Sequence, residues 1–159
     1  MKRQKVVGFE ACYNKDSKIL ILGSFPSVIS REVSFYYGNP RNRFWSILAE
    51  AFNCAVPHTR AEKIDFVLSR NLALWDVVKE CTIEGSKDTS IRDIVVADIE
   101  KIIKVSNIKY ILLNGNKSAE IFYKNYPKLK DIAIKLPSTS PANVRLDKNI
   151  WINKIRELI

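Results

Sequence analysis

The sequence predicts a three-layer α/β/α fold around a central, mostly parallel four-stranded sheet. Four short apolar runs alternate along the chain with segments whose apolar residues recur at helical spacing. Because parallel strands are joined by right-handed crossovers that usually contain a helix, this alternation favours a parallel sheet covered on both faces. The 159 residues show no repeat, linker or low-complexity segment, so we expect a single domain over residues 1–159.

The first predicted elements are a strand, a long loop and two helices. Residues 18–22 form a continuous apolar run that ends at Gly23, which is typical of a buried strand. Residues 24–40 are rich in glycine, proline, serine and aromatic residues and are predicted to be a long functional loop. One helix is expected to begin near Asn42 and another to span residues 61–69. Their predicted buried positions are Phe44, Trp45, Ile47, Leu48 and Phe52 in the first helix and Ile64, Val67 and Leu68 in the second.

The second half of the chain continues the alternation. Residues 72–78 are apolar and β-prone and predict a second strand. Asp88, Thr89 and Ser90 are typical helix-capping residues, and the apolar residues after them recur at helical spacing, which predicts a helix over residues 88–104. The later elements are predicted as a strand at 109–113, a helix at 118–126, a strand at 132–136 and a helix at 147–159.

The charge balance points to a polyanionic partner. The chain has 26 lysine and arginine residues against 17 aspartate and glutamate residues, a formal net charge of +9 at pH 7. Clustered cations release counterions from nucleic acid on binding, so a basic domain favours a nucleic-acid partner. The alternative is a solvated basic surface that only keeps the protein soluble.

The cysteines and the single histidine do not form a metal site in the sequence. Cys12, Cys54 and Cys81 lie far apart and form no CxxC pair, so they are predicted to be reduced thiols of a cytosolic protein. His58 follows a proline in a polar stretch and is predicted to be a loop residue. We therefore expect no metal and no cofactor. No apolar run approaches the ~20 residues of a membrane span, so no membrane is expected as a partner.

Three polar loops follow three of the predicted strands and are expected to meet at one edge of the sheet. They span residues 23–40, 114–117 and 137–145. In open parallel sheets, ligands bind beyond the carboxyl ends of the strands. The sequence therefore predicts a ligand site where these loops converge.

An ordered set of motifs gives these loops a family resemblance. In chain order the motifs are Gly23-Ser24-Phe25-Pro26-Ser27, Tyr36-Tyr37-Gly38-Asn39-Pro40-Arg41-Asn42-Arg43-Phe44-Trp45, Ala73-Leu74-Trp75-Asp76-Val77, Leu113-Asn114-Gly115-Asn116 and Leu136-Pro137-Ser138-Thr139-Ser140-Pro141-Ala142-Asn143. No single motif is decisive, but the set resembles the uracil-DNA glycosylase superfamily over about residues 18–145, and residues 39–45 look most like the mismatch-specific and hypoxanthine-DNA glycosylase branches. The resemblance implies a uracil-DNA glycosylase-like fold and a base-excision activity.

Two departures from the superfamily pattern restrict the resemblance to one branch of the superfamily. Many members carry Asp or Asn two residues after the glycine that ends the first strand, whereas Ser24 and Phe25 follow Gly23 here. The last motif usually opens with His or Asn, whereas this chain has Leu136. The loss of both groups resembles the hypoxanthine-DNA glycosylase branch, in which the asparagine that matches Asn39 is the key catalytic residue.

The resemblance implies roles for residues that face the predicted base pocket. Asn39 is expected to orient water with its amide oxygen or to donate from its amide nitrogen to the base; its alternative role is to cap a turn before Pro40. Asn114 is expected to read the edge of a flipped base; its alternative is an Asn-Gly turn. Gly23, Ser24 and Phe25 complete the predicted base-binding set, in which Tyr37 looks like the stacking aromatic and Tyr36 adds a second ring, while Phe44 and Trp45 are assigned to the core.

Residues 137–143 resemble the segment that enters the minor groove in this superfamily. Phosphate contacts are expected from Ser138, Thr139 and Ser140, stiffening from Pro141, and a further DNA contact from Asn143. The positive rim is expected to include Arg41, Arg43, Lys117 and Arg145, although each is also a generic surface cation. The loop contains no bulky wedge such as leucine.

These observations predict a monofunctional DNA glycosylase that hydrolyses the N-glycosidic bond of a flipped, deaminated base, most specifically hypoxanthine from deoxyinosine. No lysine or proline is placed as a Schiff-base nucleophile, so the product is expected to be an abasic site. The expected partner is double-stranded DNA that contains a deaminated base, bound by a monomer in the cytoplasm, with the chromosomal DNA. The alternatives are a mismatch-specific uracil or thymine glycosylase, a non-catalytic DNA-binding module and, last, a nucleotide-binding enzyme, which the absence of a Gly-rich phosphate loop disfavours.

Overall fold

A computed structural model of the chain describes residues 3–33, 35–84 and 91–159. Apolar runs form strands and the amphipathic segments between them form helices. The strands are β1 (Arg3–Val7), β2 (Ile19–Gly23), β3 (Leu72–Asp76), β4 (Val78–Glu84), β5 (Arg92–Val96), β6 (Tyr110–Asn114) and β7 (Ala133–Leu136). The helices are α1 (Val28–Val33), α2 (Phe44–Ala51), α3 (Arg60–Ser69), α4 (Ile99–Lys104), α5 (Asn116–Asn125) and α6 (Lys148–Leu158), and a 3-10 helix spans Pro127–Ile132.

The central sheet has four parallel strands in the order β3-β2-β6-β7, which confirms the predicted fold class. Its register aligns Gly23 with Asp76 at one pair of strand ends and Asn114 with Leu136 at another. The carboxyl ends of neighbouring strands therefore lie side by side. A second, antiparallel sheet has the order β1-β4-β5.

Alternate residues of the central strands pack into two separate hydrophobic cores. Ile19 and Ile21 of β2 pack with α2, α3 and α6 on one face, whereas Leu20 and Leu22 pack with β4, α4 and α5 on the other. Side chains of a strand alternate between faces, so a strand buried on both faces reads as an unbroken apolar run. This explains why residues 18–22 identified the centre of the sheet correctly.

Side-chain caps fix where three of the helices begin. Thr59 and Glu62 form a reciprocal capping box at the start of α3. Asp98 caps α4 by accepting from Lys101 N at 3.2 Å, and Asp147 caps α6 by accepting from Asn149 N at 3.0 Å. These caps satisfy amide groups that have no partner within the helix.

The predicted helix over residues 88–104 is wrong. Residues 92–96 form strand β5, and α4 begins only at Ile99, after its cap Asp98. Ile94 and Val95 are 37% and 45% exposed, so they do not line the buried face of a helix. β-branched residues favour strands, and here pairing with β4 decides the conformation. The proposed caps Asp88, Thr89 and Ser90 lie outside the described residues.

Two other predictions need smaller corrections, and one strand was missed. The predicted strand at 72–78 divides at Val77 into β3 of the parallel sheet and β4 of the antiparallel sheet. The predicted loop over residues 24–40 contains the short helix α1. Strand β1 was not predicted, because its basic, weakly alternating sequence lacks an apolar run.

The cysteines are free thiols, as predicted, and Cys81 is buried. Among the described residues, no group of three or more histidine, cysteine or acidic side chains is arranged to hold a metal ion. None of the described helices is long and apolar enough to cross a membrane.

Candidate active site

A polar cleft of about 220 Å³ lies at the carboxyl edge of the parallel sheet. All three predicted loops contribute to its walls, so the expected convergence is confirmed. This follows from the parallel register, because the strands all deliver their following loops to the same edge. The lining residues are Gly23, Ser24, Phe25, Pro26, Ser27, Ser30, Tyr36, Tyr37, Asn39, Asn42, Asp76, Asn114, Ser138, Thr139, Ser140 and Pro141.

One wall of the cleft is built where Gly23, Asp76 and Tyr37 meet. A methyl group on Gly23 would lie 2.5 Å from Asp76 Oδ1 and 3.0 Å from Tyr37 Oη. Both distances are shorter than carbon–oxygen contacts normally allow. Gly23 is therefore the residue that lets the carboxyl and the hydroxyl approach the end of β2.

Asp76 and Tyr37 place two unpaired polar atoms beside each other at this wall. Asp76 is 4% exposed and its Oδ2 has no hydrogen-bond partner among the described residues, and the same is true of the buried Tyr37 Oη. Burial raises the pKa of Asp76 to about 7. Burial and the nearby Asp76 raise the pKa of Tyr37 above its usual range. The nearby Asn114 amide lowers this pKa in part, although it does not form a hydrogen bond of regular geometry with Tyr37 Oη.

The aromatic residues divide between the cleft and the core. Tyr37 lines the cleft and stacks on Phe44, with ring centroids 3.9 Å apart and an interplanar angle of 19°. Its φ of 52° lies in the left-handed region, which is uncommon for a tyrosine and marks local strain. Tyr36 also borders the cleft, but it is 2% exposed and donates to Glu10 O at 2.7 Å, so most of its ring packs in the core with Phe44 and Trp45.

Asn39 lines the cleft and also shapes its own turn. Its Oδ1 accepts from Arg41 N at 2.9 Å, and its main-chain oxygen accepts from Asn42 N at 2.9 Å. The turn proposed as the alternative role is therefore present. The oxygen accepts one hydrogen bond in this turn, whereas Nδ2 makes none with the described residues and is free to donate to a ligand.

Asn114 joins the end of β6 to the loop that follows β7. Its Nδ2 donates to Thr139 Oγ1 and its Oδ1 accepts from Thr139 N, both at 3.0 Å. Thr139 is 1% exposed, so it fixes the loop rather than offering its hydroxyl to a phosphate. Asn114 lines the cleft, but because its amide is paired with Thr139, its main role in the structure is to position the loop after β7.

Arg43 holds the same loop from the other side. Its Nη2 donates to Asn143 O at 2.5 Å and to Ser140 O at 3.4 Å, and Asn143 Nδ2 donates to Ser138 O at 3.0 Å. The Ser138 and Ser140 hydroxyls accept from main-chain amides within the loop at 3.1 and 3.2 Å. Their hydroxyl hydrogens remain available as donors.

The predicted rim cations do not all lie together. Lys117 borders a second depression next to the cleft, together with Ser138, Ser140 and Asn143. Arg145 is exposed and lines neither depression, and beside it Val144 is 85% exposed. Val144 is thus an apolar side chain that this loop presents to solvent, and sequence reasoning missed it because valine is smaller than the leucine expected of a wedge.

Replacing Arg43 by alanine is expected to lower the free energy of unfolding by about 1–3 kcal/mol. The change would remove a charged donor from the carbonyl oxygens of Ser140 and Asn143, each of which would keep a main-chain amide donor. Arg41→Ala is the matched control, since this exposed arginine has no described side-chain hydrogen bond, and its effect should stay within ~0.5 kcal/mol. Urea titration of both variants measures the difference, and equal destabilisation would contradict the anchoring role.

Sequence reasoning assigned no role to Asp76. It was quoted only within the motif of residues 73–77. The available signal was a carboxylate at the end of an apolar strand, since acidic residues are almost never fully buried without a partner. The loop-holding role of Arg43 had no such signal, because its partner Asn143 lies 100 residues away.

The fold and the cleft define an α/β protein with a polar cleft at the carboxyl edge of its parallel sheet. The model of the uracil DNA glycosylase superfamily matches residues 11–157. The chain therefore belongs to this superfamily, and the predicted family and DNA glycosylase class are confirmed.

Individual relatives agree with this assignment. A hypoxanthine DNA glycosylase of Methanosarcina acetivorans is 37% identical over 147 residues, which cover 89% of this chain and 90% of the relative. One of Methanosarcina barkeri is 35% identical over 122 residues, covering 76% of this chain and 75% of the relative. A solution NMR structure from Methanosarcina acetivorans, described as a candidate uracil DNA glycosylase, matches with a TM-score of 0.82 and 33% identity over 98% of this chain and 99% of that one.

Proposed function

We propose that the protein removes hypoxanthine from deoxyinosine in double-stranded DNA by hydrolysing the N-glycosidic bond. The observation that carries this proposal is the cleft itself, which combines a base-sized volume with amide, hydroxyl and carboxyl groups at the carboxyl edge of the sheet. The two relatives named hypoxanthine DNA glycosylase support hypoxanthine as the base.

The cleft suits the charge that develops in this reaction. Breaking the bond between C1′ and N9 leaves positive charge on the sugar and negative charge on the departing purine. Fixed donors aimed at that negative charge lower the barrier without a metal ion. Asn39 Nδ2 is such a donor, because the turn that holds its oxygen also holds the amide in place at the cleft.

The surroundings of the cleft suit a duplex from which one base is flipped out. Ser138 and Ser140 stand between the cleft and the second depression, where Lys117 adds positive charge for phosphate oxygens. Pro141 and Asn143 fix the shape of this loop, and Arg145 lies just beyond it. We assign the stacking wall to Tyr37 and Phe25, and the close main-chain contact to Gly23 and Ser24.

No covalent step through the protein is part of the proposal. The cleft lining includes no lysine among the described residues, so it offers no amine for a Schiff base. The product is then an abasic site in an uncut strand. We further propose that the protein acts as a monomer on the chromosomal DNA of the cytoplasm.

A base-release panel under single-turnover conditions tests the proposal. Duplexes that differ only in one hypoxanthine, uracil or thymine are incubated with excess protein, and alkali then reveals abasic sites. We expect fastest release from the hypoxanthine duplex and no strand cleavage before alkali. Preferred release of uracil or thymine would assign the protein to the mismatch branch, and tight binding with no release would make it a non-catalytic module.

A further inference from the structure

Asp76 is the one carboxyl among the described residues that line the cleft. It ends strand β3 opposite Gly23, is 4% exposed, and has an oxygen that no described group satisfies. A buried polar atom without a partner costs free energy of folding. Because Asp76 also lines the cleft, we take a ligand bound there as the missing partner of its carboxyl group.

The surroundings of Asp76 favour its neutral form. No described salt bridge includes Asp76, and the titratable groups packed around it are the Tyr36 and Tyr37 hydroxyls, with Cys12 and Glu10 beyond Tyr36. Burial raises the pKa of both tyrosines and of Cys12, so these groups also stay neutral near pH 7. Burial raises the pKa of Asp76 to about 7, so a large share of its carboxyl keeps its proton there.

A departing base that takes up negative charge is stabilised by a hydrogen-bond donor at the wall of its pocket. A carboxylic acid that stays protonated can supply such a hydrogen bond, whereas a carboxylate would repel the developing anion.

We propose that Asp76, as a neutral carboxylic acid, donates a hydrogen bond to the lactam oxygen of the flipped hypoxanthine and stabilises the charge on the departing base. When the C1′–N9 bond breaks, its electron pair passes to the purine, and a water oxygen forms the new bond to C1′ while its proton leaves to solvent. The Asp76 proton stays on Asp76 throughout. This inference rests on the proposed function.

The test is the pH dependence of single-turnover release for the wild type, Asp76→Asn and Asp76→Ala. Ionisation of the raised carboxyl removes the donor, so wild-type release should fall by about tenfold per pH unit above pH 7. Asparagine donates through its amide and does not ionise, so Asp76→Asn should show no such fall and should exceed the wild type near pH 9. Asp76→Ala should release hypoxanthine about 100-fold more slowly than the wild type near pH 6.

Thermal unfolding separates this role from a merely structural one. Folding raises the pKa of Asp76, so the wild type should lose stability relative to Asp76→Asn as the pH rises from about 4 to about 7. If Asp76 has only a structural role, the two proteins will show this Tm difference but identical pH–rate profiles, and that result would overturn the inference. Unimpaired hypoxanthine release by Asp76→Ala would overturn it as well. Absence of hypoxanthine release by the wild type would instead overturn the proposed function.

Discussion

Asn39→Ala is expected to slow single-turnover release of hypoxanthine by about 100- to 1,000-fold. Removing one fixed donor that meets developing charge in an enclosed site costs a factor of this size. The amide nitrogen is the free end of a side chain whose oxygen is already held by Arg41 N at 2.9 Å. Binding of intact duplex should change far less, because the proposed role of Asn39 is confined to the base.

Asn39→Asp is the variant that separates the two roles left open for this amide. Aspartate keeps the oxygen that accepts from Arg41 N, so the turn is preserved. Loss of release in both variants assigns the amide nitrogen as donor to the base, whereas activity in Asn39→Asp alone would assign the oxygen to a water molecule. Wild-type rates in Asn39→Ala would remove Asn39 from the catalytic machinery.

Gly23→Ala is expected to slow release by on the order of 100-fold without unfolding the protein. The added methyl group would lie 2.5 Å from Asp76 Oδ1 and 3.0 Å from Tyr37 Oη, so the cleft wall must move. A displacement of about 1 Å at a reacting site can cost a factor of this size. Single-turnover kinetics with circular dichroism of the same preparation measures the rate and the fold together.

Gly8→Ala is the matched control for this prediction. Gly8 does not line the cleft, and its added methyl group would lie 3.3 Å from Lys79 O and from Cε1 of the cleft residue Phe25, so these neighbours need to move by only a few tenths of an ångström. Its release rate should therefore fall far less than that of Gly23→Ala. If Gly23→Ala and Gly8→Ala were equally active, the close packing at the end of β2 would not matter to the reaction.

The sequence identified the sheet because buried strands leave a strong local signal. Residues 19–22 and 110–113 are unbroken apolar runs, and the structure places them in adjacent central strands. Residues 92–96 were predicted wrongly, because Ile91, Ile94, Val95 and Ile99 recur at helical spacing although residues 92–96 form an exposed strand. Pairing with β4, which is a tertiary contact, decided that conformation.

The cleft was predictable as a meeting of loops but not as a set of contacts. Parallel topology alone brings Gly23, Asn39 and Asn114 to one edge. Asn114 pairs with Thr139, and Arg43 donates to Asn143 O. Both contacts join residues far apart in the sequence and depend on side-chain geometry, which the spacing of residue types along the chain does not encode. Asp76 was visible in the sequence, but only the structure shows that its oxygen lacks a partner.

The most direct test of the central claim is to identify the free base that the wild-type protein releases from an inosine-containing duplex. Chromatography with mass detection, before any alkali, reports the base and the state of the strand in one sample. We expect free hypoxanthine, in an amount equal to the abasic sites formed, and an uncut strand. An intact inosine duplex after prolonged incubation with excess folded protein would contradict the account.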